Sequence, residues 1–163
     1  MNNEEHLPVF GIGSFLAFPI LLLSFISLIA SIYKKIPVFQ INELHFPFAI
    51  IGIILILAGI LIWISAVLKS KITQEIIDNK LVKTGIYSYI RHPIYSAFLF
   101  ISTGLIFLSQ NMLLFFLPII YWVILTIGMM KTEEKWLLDK FGDEYVEYSK
   151  EVNRFIPFFN FFK

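Results

Sequence analysis

Three long tracts without charged residues dominate the pattern of hydrophobic positions along the chain. They run from Leu7 to Tyr33, from Phe46 to Leu68 and from Pro93 to Met130. A helix needs about 20 apolar residues to cross about 30 Å of hydrocarbon, because each residue advances it by about 1.5 Å. Each tract is therefore long enough to span a membrane.

The third tract is too long for a single span. Ser109, Gln110 and Asn111 interrupt it near its middle, and this polar cluster predicts a tight turn between two helices, Pro93–Leu108 and Met112–Met130. The chain then has about four transmembrane helices.

The first of these two helices is short. Either it starts earlier, near Tyr89, or the bilayer is thin around it, and both alternatives place Arg91 and His92 at the membrane boundary. Pro19 and Pro118 are expected inside their helices, where neighbouring groups can satisfy the freed carbonyls.

Composition supports a membrane protein. Hydrophobic residues make up 58% of the 163 residues, charged residues only 15%, and the mean hydropathy is +0.78, whereas soluble domains carry about a quarter charged residues. With no linker or internal repeat to divide it, the chain is expected to form one domain, residues 1–163. The fold prediction is an all-α integral membrane protein.

The charged and metal-binding residue types exclude several functions. A net charge of +1 gives no general attraction to nucleic acid. Without cysteine there is no thiol nucleophile and no thiolate metal site, and three scattered histidines make a poor metal set. Neither a nucleic-acid partner nor a metal is expected.

The distribution of Lys and Arg predicts the orientation of the chain. Basic residues concentrate in the segment 69–92 and in the tail after Met130, so both are expected on the cytoplasmic side. The uncharged turn near Gln110 then faces outward. The first hairpin fits less well, since Lys34 and Lys35 would lie outside. High Ile, Phe and Lys content is typical of AT-rich microbial genomes, which points to a microbial cytoplasmic membrane.

Polar side chains are concentrated at two places beside the predicted membrane. The first is the segment Leu81–Tyr95, where Arg91 and His92 come just before Pro93; Pro suits a first helical position. Taken alone, this segment could equally be an interfacial anchor. The second place is Glu133 and Glu134, just beyond the last span, where acidic residues are usually only solvated.

An amphipathic stretch follows the two glutamates. Apolar and aromatic residues at 136, 137, 141, 145 and 148 share one face of a helix interrupted near Gly142, with charges on the opposite face. This stretch is expected to lie on the membrane or to fold back on the bundle. The Phe-rich end after it is typical of an interfacial anchor.

The order of these motifs resembles a known family. Leu-Val-x-x-Gly-x-Tyr-x-x-x-Arg-His-Pro-x-Tyr is followed by a helical hairpin, Glu-Glu-x-x-Leu, Phe-Gly-x-Glu-Tyr-x-x-Tyr and a closing Ile-Pro-Phe. This set, from Leu81 to Phe158, resembles the isoprenylcysteine carboxyl methyltransferase family and its phospholipid methyltransferase relatives. The first two helices match only in being apolar.

The resemblance implies an S-adenosylmethionine site on the cytoplasmic side, formed by the C-terminal helical hairpin and its flanking segments, with a lipophilic acceptor entering from the bilayer. The catalytic half is about 79–158. By position, the residues implied to contact the cofactor are Leu81, Val82, Tyr87, His92, Pro93, Tyr95 and Glu133. Asn79 and Lys80 fall in the same stretch without matching in type. Arg91 is implied to orient the acceptor.

This chain departs from the family at one position. Members with a prenylcysteine substrate carry an acceptor-binding Arg four residues before the first Glu, where this chain has Met129; Lys131 or Arg154 could substitute for it. A carboxylate acceptor needs only placement, which Arg91 can give bidentately. An amine acceptor must lose a proton, and Glu134 is then the available base. The sequence leaves both acceptors open.

Two other functions remain open. Membrane reductases of the sterol type share a similar C-terminal half and bind NADPH there, although they are usually much longer. A non-catalytic membrane scaffold would use the same motifs only as anchors.

Overall fold

The computed structural model describes residues 14–67 and 80–157, and this part of the chain is helical. The α-helices are α1 (Ser14–Ile32), α2 (His45–Val67), α3 (Pro93–Ser109), α4 (Leu117–Lys131), α5 (Glu133–Phe141) and α6 (Asp143–Glu151), and short 3-10 helices lie at Asn42–Leu44, Gly85–Ser88 and Met112–Leu114.

Three helical stretches are long and apolar enough to cross a membrane: Phe15–Ile32, Asn42–Val67 and Met112–Phe141. A shorter apolar helix, α3, completes the bundle. The prediction of an all-α integral membrane protein is confirmed; the predicted start of the first span, before residue 14, lies outside the described residues. The last stretch runs on into α5, and we take its membrane-spanning part to end at Lys131, the last residue before the polar turn at Thr132.

Helix α3 is the centre of the bundle and packs against α1, α2 and α4. Its inward residues, such as Leu99 and Ile106, are buried, and the cluster they belong to includes Ala17, Tyr121 and Leu125 from α1 and α4. Large apolar side chains on the outer faces of α1, α2 and α4 are exposed. Such an outer face is stable where the surrounding solvent is lipid.

Glycines allow α2 and α3 to approach closely. A Cβ added at Gly104 would lie 2.6 Å from the carbonyl oxygen of Gly52, and one added at Gly52 would lie 2.8 Å from that of Gly104. Both distances are too short for any side chain, so these two glycines pack within the bundle.

The predicted polar turn between α3 and α4 is present. Gln110 has a left-handed backbone with φ of 51° and follows the end of α3. Asn111 is fully buried and bonds to the α1–α2 loop. Pro118 lies at the second position of α4 and not in its interior, because the chain forms a 3-10 turn at Met112–Leu114 before the helix begins.

At the other end of the bundle, residues 80–92 and 132–157 form a cap. Helices α5 and α6 are joined at Gly142, whose φ of 52° ends the first helix where the sequence predicted an interruption. Tyr145 and Tyr148 form a small buried cluster with Val152, and Leu81, Leu137 and Phe141 pack against it. The predicted apolar face therefore folds back on the protein.

Candidate active site

The C-terminal segment is paired with the start of α3. The backbone N–H of Arg91 donates to the carbonyl of Asn153 at 2.9 Å, and that of His92 donates to the carbonyl of Arg154 at 3.1 Å. A parallel bridge between Ile90 and Asn153 continues this pairing. The pairing brings Arg154, more than 60 residues later in sequence, beside His92.

His92 lies between two carboxylates. Its Nδ1 is 3.5 Å from Oε2 of Glu133, and its Nε2 is 3.2 Å from Oε1 of Glu134. The glutamates occupy the first turn of α5, and the histidine precedes Pro93, the first residue of α3. The imidazole is only 5% exposed, so this contact is shielded from water.

Glu134 is held by three cationic side chains. Arg154 donates from Nε to Oε1 and from Nη2 to Oε2, both at 2.7 Å. Arg91 places Nη1 3.3 Å from Oε1, the oxygen that also faces His92. A buried carboxylate is stable only when it is paired in this way.

The pKa values in this cluster are displaced in opposite directions. Burial raises the pKa of the Glu134 carboxyl, but the hydrogen bonds from His92 and Arg154 and the charge of Arg91 outweigh it, so this pKa lies well below its usual range. Burial lowers the pKa of His92, whereas its bonds to Glu133 and Glu134 raise it, and the net pKa is above the usual 6.5. An ionised glutamate beside a protonated histidine is favoured.

Glu133 is surrounded by different groups. The hydroxyl of Tyr95 donates a short hydrogen bond to Oε1 of Glu133. Burial, with Tyr148 and the charge of Glu133, raises the pKa of Tyr87 far above 10, so this phenol stays neutral. The hydroxyl of Tyr148 donates to the backbone carbonyl of Tyr87 at 2.6 Å. Tyrosines and one imidazole thus enclose this carboxylate.

Arg91 has a buried donor, Nε, for which the described residues offer no partner. Its Nη1 donates to the hydroxyl of Tyr145 at 3.1 Å and approaches Glu134. Its Nε is buried and bonds to no atom of the described residues. An unpaired buried N–H is costly, and such a group is commonly satisfied by a ligand or water.

The predicted site residues fall into two groups. The structure brings Arg91, His92, Pro93, Tyr95, Glu133, Glu134 and Arg154 together, with Tyr87 close to Glu133. The second group lies outside this cluster. Leu81 packs beside Tyr145 and Tyr148, Val82 is half-buried, and Lys80 and Lys131 are exposed. Met129 is buried in the bundle core, and Asn79 and Phe158 lie outside the described residues.

Tyr145 was missed as a site residue. Its place in an amphipathic pattern indicated burial, but the hydrogen bond to Arg91 joins residues 54 positions apart and leaves no local sequence signal. The motif Phe-Gly-x-Glu-Tyr-x-x-Tyr was the only hint.

An apolar cavity of about 340 Å³ lies between α2, α3 and α4. It is lined by Leu55, Leu99, Phe100, Thr103, Pro118, Ile119, Trp122 and Ile156. Leu99 is about one helical turn beyond Tyr95, and Ile156 follows Phe155, whose ring centroid lies 6.3 Å from that of His92. The cavity therefore begins close to the charged cluster.

A sequence profile of the phospholipid methyltransferase family matches residues 48–144 of this chain. The match takes in α2, α3, α4 and α5 and includes His92, Glu133 and Glu134. No solved structure matches the chain significantly.

Several curated proteins are similar over part of the chain. A protein-S-isoprenylcysteine O-methyltransferase of Saccharomyces cerevisiae is 39% identical over 88 residues, which are 53% of this chain and 36% of that protein. One of Xenopus laevis is 30% identical over 118 residues, covering 68% of this chain and 41% of that protein. Methanethiol S-methyltransferase 1 of Bradyrhizobium diazoefficiens is 33% identical over 72 residues, or 44% of this chain and 24% of that protein. The chain matches less than half the length of each.

Proposed function

Because this chain belongs to the phospholipid methyltransferase family, we propose that it transfers a methyl group from S-adenosylmethionine to a lipophilic acceptor at the cytoplasmic face of a membrane. One observation carries the proposal. His92, Tyr95 and Glu133, which the family resemblance assigns to the cofactor, meet in space although 38 residues separate Tyr95 from Glu133.

The chemistry of these side chains fits the cofactor. Its ammonium group needs a carboxylate, and Glu133 offers one that is met by a hydroxyl and an imidazole. Its adenine and sulfonium suit aromatic surfaces, which Tyr87 and Tyr95 provide. We propose that Leu81, Val82 and Pro93 supply apolar contacts around it, with Asn79 and Lys80 at the edge of the same segment.

S-adenosylmethionine, when bound, supplies a methyl group on a positively charged sulfur. The protein then has two tasks, to hold donor and acceptor in line and to exclude water. Glu133 and Glu134 contact the two ring nitrogens of His92. We propose that this fixed imidazole forms one side of the site. From α6, Tyr145 bonds to Arg91 and Tyr148 bonds to the backbone of Tyr87. No covalent nucleophile is required of the chain.

We propose Arg91 as the residue that orients the acceptor. Its buried Nε has no partner among the described residues, so it is available to an oxygen of a carboxylate. A carboxylate is nucleophilic without losing a proton. An amine acceptor would need a base, for which Glu134 was the candidate; its lowered pKa makes it a weak one. These observations favour O-methylation.

The apolar cavity supports a lipophilic acceptor. Its volume of about 340 Å³ lies in the range of ligand pockets, about 300 to 1,000 Å³. It begins about one helical turn from Tyr95, so a hydrocarbon chain could lie in it while the polar end of the same molecule reaches Arg91. The basic residues of the cap favour a cytoplasmic position for this end of the bundle.

The similar proteins support methyl transfer more strongly than any one acceptor. The names of the yeast and frog proteins specify isoprenylcysteine, and that of the bacterial protein specifies methanethiol. A common methyl-transfer site with different acceptors would explain this range. We propose an isoprenylcysteine-like carboxylate as the first acceptor to test.

The test is methyl transfer by the purified chain in detergent, with methyl-labelled S-adenosylmethionine. Three acceptors are compared: an N-acylated S-farnesylcysteine, phosphatidylethanolamine and an alkanethiol. We expect label on the farnesylcysteine that mild alkali releases as methanol, because esters hydrolyse and N-methyl groups do not. Alkali-stable label on the phospholipid would instead establish an amine acceptor. Absence of transfer to all three, with no binding of S-adenosylhomocysteine by folded protein, would overturn the proposal.

A further inference from the structure

Arg154 occupies both oxygens of Glu134. Its Nε and Nη2, two nitrogens on one edge of the guanidinium, donate to Oε1 and Oε2 at 2.7 Å each. This fork geometry fixes the plane of the carboxylate as well as its position, which a lysine ammonium cannot do. The two bonds from Arg154 therefore fix the position of Oε1 independently of the other groups that contact it.

The fixed oxygen, Oε1 of Glu134, is the one on which the other cations converge. His92 places Nε2 at 3.2 Å from it, and Arg91 places Nη1 at 3.3 Å. Arg154 also holds His92 directly, since its backbone carbonyl accepts the His92 N–H at 3.1 Å. Arg154 thus contacts His92 through its own backbone and, through Glu134, affects the imidazole ring that faces Glu133.

We propose that Arg154 is a positioning residue of the methyl-transfer site: through Glu134 it sets the orientation of His92, and it does not bind the acceptor. The inference rests on the proposed function. It replaces the sequence-based prediction that Arg154 substitutes for the arginine absent at Met129, because the Nε–Nη2 edge of its guanidinium is already bound to Glu134.

Charge balance makes the positioning depend on pH. Glu134 faces Arg91 and His92 from the start of α3, Arg154 from the C-terminal segment and the hydroxyl of Tyr145 from α6, with Glu133 next to it on α5. Removal of Arg154 takes away the closest cation, while burial continues to favour the neutral acid. The pKa of Glu134 then rises, and its support of His92 weakens first at low pH.

The experiment measures S-adenosylhomocysteine binding by calorimetry for the full chain in detergent, between about pH 4 and about pH 7, a range that begins near the pKa of an unperturbed glutamate. The variants are Arg154→Ala and Arg154→Lys. The matched control is Lys83→Ala, which also removes a cation bonded to a glutamate, Glu144, but in an exposed pair. Melting temperatures and the steady-state KM for farnesylcysteine are measured on the same samples.

We expect Arg154→Ala to weaken binding roughly tenfold, as loss of an orienting partner typically does, with the deficit increasing as the pH falls. Arg154→Lys should recover only part of the affinity, because it restores the charge but cannot fix the plane of the carboxylate. The KM for the acceptor should change by less than about threefold, because that change corresponds to only a small part of the binding free energy. Lys83→Ala should bind like the wild type.

Three results would overturn the inference while leaving the proposed function intact. A large rise in acceptor KM with unchanged cofactor affinity would make Arg154 an acceptor-binding residue. A lower melting temperature with unchanged affinity at every pH would make its role purely structural. Equal loss in Arg154→Ala and Lys83→Ala would make it a general charge effect. No binding by the folded wild type would instead overturn the proposed function itself.

Discussion

The two ends of the helical bundle are each closed by a buried polar residue, but the two residues are bonded very differently. At one end the side-chain amide of Asn111 donates to the carbonyl of Pro37 at 2.9 Å and to Ser31, and it accepts from the backbone N–H groups of Phe39 and Leu113. At the other end Glu134 is bonded to His92 and Arg154 and lies beside Arg91.

We interpret this difference as that between a structural role at one end and a proposed functional role at the other. An amide has two donors and two acceptor positions, and those of Asn111 are filled within the protein. The charged end instead contains a second carboxylate, Glu133, and a buried Arg91 N–H that has no partner in the described part of the chain. Buried charges are expensive and hold a fold no better than an apolar core would. We propose that the charged end keeps bonding capacity for a ligand, whereas the side-chain amide of Asn111 has none left.

The largest effect should come from neutralising the charged end. Glu133→Gln keeps the shape of the side chain but removes the charge proposed to pair with the cofactor ammonium. We expect the KM for S-adenosylmethionine to rise by roughly a hundredfold, about the energy of a buried charged hydrogen bond, with little change in melting temperature. A Glu133→Gln variant with an unchanged KM for S-adenosylmethionine would show that Glu133 does not bind the cofactor.

A change at the neutral end should have the opposite signature. Asn111→Ala removes a fully buried side chain together with its hydrogen bonds to the carbonyl of Pro37 and the N–H of Phe39, at about 0.5 to 1.5 kcal/mol for each bond. We expect the melting temperature to fall by about 3 to 8 °C, while the folded protein binds S-adenosylhomocysteine with wild-type affinity. A binding defect in fully folded Asn111→Ala protein would show that the two ends are coupled.

A pH series should distinguish the ends further. The folded pKa of His92 lies above 6.5 because Glu133 and Glu134 bond to it against the opposing effect of burial. The stability from its protonation is therefore complete below about pH 6.5 and is lost as the pH rises through the folded pKa. We expect the melting temperature to decline over that rise in the wild type and to stay flat in His92→Gln. Asn111→Ala should shift the whole curve without changing its shape.

The smallest effect should come from the exposed ion pair of the cap. Lys83 and Glu144 lie 2.6 Å apart with side chains 44% and 51% exposed. Exposed pairs contribute about 0 to 1 kcal/mol because water and salt screen them. Lys83→Ala should therefore leave the melting temperature and cofactor affinity nearly unchanged. A loss as large as that of Arg154→Ala would remove the contrast between buried and exposed pairs.

The sequence predicted those features that depend on local pattern. Charge-free tracts gave the spans, Pro93 marked the start of α3, and the polar cluster at Ser109–Asn111 gave the turn. The order of the motifs led to the hypothesis that His92 and Glu133 belong to the same cofactor site. Their 3.5 Å contact is consistent with it.

Other features depend on tertiary pairing that no local pattern encodes. The bond between Arg154 and Glu134 requires the C-terminal segment to lie beside Ile90. That pairing is made by backbone atoms, which all residues share, so it leaves no signal in the sequence. The contact of Asn111 with Pro37 joins residues 74 positions apart. Pro118 was expected inside its helix, because hydropathy does not distinguish a 3-10 turn from the first turn of an α-helix.

The most direct test of the central claim, that the charged end binds a methyl donor, is calorimetric titration of the purified chain in detergent with S-adenosylhomocysteine and, separately, with NADPH. We predict saturable binding of S-adenosylhomocysteine that Glu133→Gln weakens by roughly a hundredfold and Asn111→Ala preserves, with no binding of NADPH. Binding of NADPH alone would make the chain a reductase, and binding of neither compound by folded protein would make it a membrane scaffold; either result would contradict the claim.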